Sequence, residues 1–195
     1  KIIGVEEELI PKQRGYAYPQ IIEAINRGEI KALWVVATNP LVSYPNQTFL
    51  RKALKKLELL VVQDSFLSDT AQIADVVFGA ATWSEKEGTY TNSERRCNLA
   101  KKAKEPYANT KSDFEIVKEF SKYFGVHDKL FKNLNTPKDV FEEIKKVSKN
   151  RLCDYSGMSY ELIKELGGVQ WPCNKQNPKG TKRLYTKDMP FCFSD

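Results

Sequence analysis

Apolar positions in the first half of the chain alternate between helical spacing and short continuous runs. Ile21, Ile22, Ala24 and Ile25 share one side of a helix expected over about Pro19 to Arg27, which Gly28 ends. A strand follows from Lys31 to Ala37. Over Thr48 to Leu57, Phe49, Leu50, Ala53, Leu54 and Leu57 recur at helical spacing while Arg51, Lys52, Lys55 and Lys56 fall on the other side, facing water. The strand Glu58 to Val62, a short helix near Asp69 to Ala74 and the strand Asp75 to Phe78 complete the pattern. Strand and helix in strict alternation predict an α/β fold, a doubly wound and mostly parallel sheet with flanking helices.

Past Gly88 the pattern loosens. Thr89 to Lys104 is polar and reads as an irregular loop, and helical periodicity returns from Asp113 to Phe124. Thr136, Pro137 and Asp139 spell a helix start, and that helix should reach Ser148. A last helix, Ser159 to Leu166, stops at Gly167 and Gly168, and Cys173 to Asp195 reads as a connector. The expected organisation is an α/β domain over residues 1–125 and a helical, extended appendage over 126–195.

Each buried run of the first domain ends in polar residues able to hold a ligand: Asn39 after the first, Gln63 and Asp64 after the second, Lys86 after the third. In open α/β sheets, ligands sit outside the carboxyl ends of the strands. The Asn39 amide both donates and accepts, and Pro40 fixes its backbone in an extended form. A carboxylate such as Asp64 can accept two hydrogen bonds side by side, matching the two N–H donors on a guanine edge. Lys86 offers a mobile point charge to a phosphate or a ribose. Neither the G-x-G-x-x-G nor the Walker pattern is present, so a self-sufficient NAD or ATP site is not expected.

Composition narrows the classes further. The 195 residues are 41% hydrophobic, enough for a core, and 31 Lys and Arg against 25 Asp and Glu give a net charge of +6. The excess lies in solvated runs such as Lys101, Lys102 and Lys104, so nucleic acid is not the expected partner, although a stand-alone basic interaction module remains the rival from another class. Four cysteines, at 97, 153, 173 and 192, are far apart and His127 is the single histidine, which predicts no metal site and no catalytic cluster within the chain. No run suits a bilayer, and reduced thiols point to the cytoplasm.

Three strings carry a resemblance. ALWVVATNP, VVQDSF and SDTAQIADVVFGAATWSEKEGTYTNSERR are similar to segments of the molybdopterin oxidoreductases that use a bis-(molybdopterin guanine dinucleotide) cofactor, among them nitrate reductases and formate dehydrogenases. CDYSGMSYELIKELGGVQWPC, Cys153 to Cys173, resembles the segment preceding the last domain of assimilatory, cytoplasmic nitrate reductases and of formate dehydrogenases. The resemblance implies the third of four domains, one that holds a guanine dinucleotide while the molybdenum ligand and a four-iron four-sulfur cluster lie elsewhere in the parent polypeptide. It places cofactor contacts on Asn39, Gln63, Asp64, Lys86 and Asp113, with Ser43 as a lesser candidate. It further implies nitrate reduction by the parent, formate oxidation as the alternative, the remaining domains and a donor such as ferredoxin as partners, and no turnover by this chain alone. Phe78-Gly79 departs from the Leu-Pro common in the family.

Overall fold

Strand β1 (Ala32–Val36) pairs in parallel with β2 (Leu59–Asp64), and β2 with β3 (Val76–Gly79), in a computed structural model that describes residues 5–186. Around this sheet lie α1 (Tyr18–Asn26), α2 (Pro40–Ser43), α3 (Gln47–Leu54) and α4 (Asp113–Tyr123). The mixed α/β reading, with a parallel sheet and flanking helices, holds. Two compact units emerge: one comprises Glu8–Glu85 with Lys104–Phe120, and the other contains Lys86–Ala103 and the described residues from Ser121. The expected boundary after residue 125 falls inside the second of these.

The sheet unit is held by two apolar clusters. Ile22 and Ile25 of α1 pack with Leu41, Leu50, Ala53 and Leu54, with Leu33 of β1 against them. Val35, Leu60, Val62 and Ala71 form the second cluster. Because strand side chains alternate, Trp34 and Gln63 face the opposite side from Val35 and Val62. On that side the Trp34 ring lies 5.7 Å from Phe78 and 4.6 Å, edge to face, from Phe120 of α4. Gly79 admits a close neighbour, since a Cβ there would come 3.1 Å from Thr110 Cγ2.

The polar stretch expected as a loop is instead an antiparallel hairpin, β4 (Gly88–Thr91) with β5 (Arg96–Ala100). Its turn exchanges Asn92 N–H to Arg96 O at 3.0 Å, while Asn92 Oδ1 accepts from Arg96 N at 3.0 Å. Arg95 takes the left-handed conformation at φ 67, a place where glycine or asparagine is the usual turn signal. That substitution hides the hairpin from a reading of turn residues. Strand β6 (Val169–Gln170) adds to β5, so the C-terminal part is not helical and extended alone.

This second unit also carries α5 (His127–Leu130), α6 (Pro137–Ser148) and α7 (Tyr160–Leu166). The Thr136 side chain caps α6 by accepting from Asp139 N, and the Asp139 carboxylate answers Thr136 N at 2.8 Å. Gly167, at φ 64, ends α7 as expected. Phe141, Met158, Ile163 and Val169 build the core with Cys97 and Cys173. Cys192 and the end of the expected connector lie outside the described residues.

Candidate functional site

The ends of β1 and β2 are bridged by the loop 65–70, and two of the expected site residues hold it. Asp64 closes β2, where its Oδ1 accepts from Ser65 N at 2.7 Å and Phe66 N at 3.4 Å, and its Oδ2 accepts from Ser68 Oγ at 3.1 Å. Three of a carboxylate's roughly four acceptor positions are thus taken by the loop. Asn39 Oδ1 accepts from Thr70 Oγ1 at 2.7 Å and Thr70 N at 3.2 Å, while its Nδ2 donates to Asp69 at 3.2 Å. Thr70, fully buried, in turn accepts from Leu41 N. Ser43, exposed on α2, donates to Asn39 O at 3.2 Å.

Gln63 is the informative member. It is 1% exposed, and its Nε2 donates to Asp113 Oδ1 at 2.7 Å, whereas its Oε1 is buried without a hydrogen-bond partner. A carboxylate can only accept, so Asp113 fixes which end of the amide faces it and leaves the carbonyl end unsatisfied. On the same sheet face the buried Trp34 Nε1 is a donor without a partner. Buried polar groups are nearly always paired, and each such exception needs a cause.

The structure therefore joins Gln63 to Asp113, and Asn39 to Ser43 and the loop that Asp64 anchors. Lys86, partly buried, opens the other unit. Trp34 was not among the expected residues; a lone aromatic in an aliphatic strand was its only mark. Glu85, also unexpected, is 4% exposed and accepts from Thr82 N at 2.8 Å while pairing with Lys104 at 3.1 Å. The Thr82 amide, more than the lysine, holds its carboxyl below the ordinary value.

Arg95 and Arg96, from the string that also holds Glu85 and Lys86, bond to the backbone of their own unit. The Arg95 guanidinium donates to the carbonyls of Trp171, Thr181 and Lys182 and lies 5.4 Å from the Trp171 ring centroid. Arg96 Nη1 donates to Gly168 O at 3.4 Å. Among the described residues no helix is long and apolar enough to cross a membrane, and no His, Cys, Asp and Glu side chains gather as a metal-ligand set.

A three-stranded parallel sheet with flanking helices defines a mixed α/β domain. The family model described as Molybdopterin oxidoreductase matches residues 7–123, and the chain belongs to that family. It is 42% identical over 171 residues to the F420-dependent formate dehydrogenase subunit alpha of Methanocaldococcus jannaschii, a match covering 88% of this chain and 24% of that protein. To the assimilatory nitrate reductase catalytic subunit of Bacillus subtilis it is 35% identical over 187 residues, covering 96% of this chain and 26% of that one. The chain thus spans about a quarter of the length of these relatives. Among solved structures, acetylene hydratase from Pelobacter acetylenicus shares the fold, with a TM-score of 0.59 at 23% identity over 74% of this chain and 19% of that one.

Proposed function

We propose that this chain is the domain of a molybdenum oxidoreductase that holds one guanine dinucleotide of a bis-(molybdopterin guanine dinucleotide) cofactor. The observation that carries the reading is the unpartnered, buried Gln63 Oε1 beside an Asp113-fixed amide. An acceptor left so costs about 1–3 kcal/mol, and the N–H groups of a guanine edge are the donors that would relieve it. Asp113 positions that amide, and Asp64 and Asn39 hold the loop 65–70 in place with one carboxylate position of Asp64 still open to a donor. Ser43, exposed on α2, is a further polar position for a ribose.

When bound, the cofactor supplies two-electron oxygen-atom transfer at its molybdenum. The residues of this chain bind and orient it, and perform no redox step themselves. In the parent we assign nitrate reduction to nitrite, with electrons arriving through an iron–sulfur cluster outside this chain from a ferredoxin-type donor in the cytoplasm. Support comes from nitrate reductases of Bacillus subtilis and Synechocystis, 35% and 36% identical over 96% and 94% of the chain. Formate oxidation is the second reading, favoured by the 42% identity to the methanogen formate dehydrogenase subunit.

The purified parent enzyme distinguishes them. Nitrate-dependent oxidation of a reduced viologen, with guanine nucleotide released on denaturation, is the expected result. Formate oxidation without nitrate reduction would transfer the substrate to the second reading, and an enzyme free of guanine nucleotide would end the cofactor assignment.

A further inference from the structure

Asp154, Ser156 and Gly157, for which the cofactor site has no use, line one wall of a cavity of about 470 Å³ in the unit that carries α6 and α7. Lys145, Lys146 and Lys149 reach it from the end of α6, and Lys175 and Gln176 from the facing segment. The walls are tied to each other by Asp154, which is 2% exposed. Its Oδ2 accepts from Asn150 N at 3.0 Å and from Asn174 Nδ2 at 3.3 Å, and its Oδ1 accepts from Ser156 N at 2.8 Å. Cys173 N donates to Asp154 O at 2.7 Å and Gly157 N to Cys173 O at 2.8 Å. A Cβ at Gly157 would come within 2.9 Å of the Asn174 backbone, so glycine is what lets the walls meet. The cavity is formed by the fold and needs no ligand to shape it.

Its charge is unbalanced. Of the two acidic lining side chains, Glu142 is paired with Lys145 at 2.8 Å, and Asp154 is shared among three donors. Lys146, Lys149 and Lys175 make no ion pair among the described residues. Lysines at a helix C-terminus complement its dipole, which accounts for Lys145 and Lys146 but not for Lys175 on the facing wall.

We propose that this cavity binds a small anion bearing a diphosphate. The lining has lysine and no arginine; lysine meets a phosphate as a compact point charge, and several such charges around one cavity suit a ligand with two adjacent anionic groups. The volume falls in the range of small-molecule sites, about 300–1,000 Å³, which separates it from a flat face for a macromolecule.

Titration calorimetry on the 195-residue chain with sodium pyrophosphate, and separately with ADP, tests this. Saturable binding that weakens with added salt is expected for at least one of them. Tighter binding of ADP would mark a nucleotide-type ligand, and tighter binding of pyrophosphate a free diphosphate. In the Lys149→Gln, Lys175→Gln double variant affinity should fall at least tenfold with an unchanged thermal midpoint, while Lys52→Gln, Lys55→Gln on exposed α3 leaves it unchanged. Absence of saturable binding to either anion, or equal loss in both double variants, would overturn the proposal.

Discussion

Gln63 and Asp113, 50 positions apart in the chain, meet through a 2.7 Å hydrogen bond that joins the end of a strand to the first turn of a helix. The bond does two jobs. It pins the N-terminus of α4, where a carboxylate also suits the helix dipole, and it orients the Gln63 amide so that its buried oxygen is presented without a partner. In the function proposed above, Asp113 acts through Gln63, by fixing which end of its amide faces the ligand.

Replacing Asp113 by Ala should lower stability by about 1–3 kcal/mol, because it strips a charge-assisted acceptor from a buried amide that then has neither end satisfied. Gln63→Leu removes the orphan oxygen along with the amide, so it should cost the isolated chain less than Asp113→Ala. In the parent enzyme the order should reverse for retained guanine nucleotide, with Gln63→Leu the more damaging. Urea midpoints of the chain and nucleotide content of the parent are the two measurements. Equal nucleotide retention in both variants would remove Gln63 from the recognition site.

Arg95→Ala should loosen the return of the chain past β6. Three backbone carbonyls lose their donor and the Trp171 ring loses its cation, a combined loss of about 2 kcal/mol. Trp171 fluorescence should shift to longer wavelength before global unfolding in urea. A spectrum identical to the native one, with an unchanged midpoint, would show that the guanidinium is dispensable.

The parallel sheet was legible because β1 and β2 are continuous apolar runs, and α6 because Thr136, Pro137 and Asp139 announce it. Asn39, Gln63 and Asp64 were legible as strand-end residues, but their division of labour was not. Asp64, expected to face a guanine, mostly anchors the loop that follows it, while Gln63 presents the open acceptor. Which polar group a loop captures depends on where its backbone N–H groups fall, and no residue pattern carries that. The hairpin escaped notice for a related reason: Arg95 occupies a left-handed position that a sequence reading reserves for glycine or asparagine.

Thiol chemistry separates the cysteines of the described region. Cys153 is exposed, while Cys97 and Cys173 are buried and burial pushes both thiols up from their ordinary value. Brief treatment of the native chain at pH 8 with iodoacetamide, followed by peptide mass spectrometry, should label Cys153 and spare the other two until denaturant is added. Early labelling of Cys97 would contradict its place in the hairpin core.

Acid should act on the second unit through Asp154. Burial by itself would raise the pKa of this carboxyl, but hydrogen bonds from Ser156, Asn150 and Asn174 outweigh it and hold the folded value below that of an unfolded aspartate. The unfolded chain therefore takes up this proton at a higher pH than the native one. The stabilisation is complete above the unfolded value, declines from about pH 5 downward, and is lost once the pH passes below the folded value. Asp154→Asn sets an amide donor against backbone donors, so at neutral pH it should destabilise the chain by about 1–3 kcal/mol. The difference from the native chain should shrink as both are acidified, because the native carboxylate is being neutralised while the amide does not titrate. Urea midpoints at pH 7 and at pH 3 decide the matter: converging midpoints are expected, and a constant gap would mean that the charge of Asp154 contributes nothing and that only its shape ties the walls together.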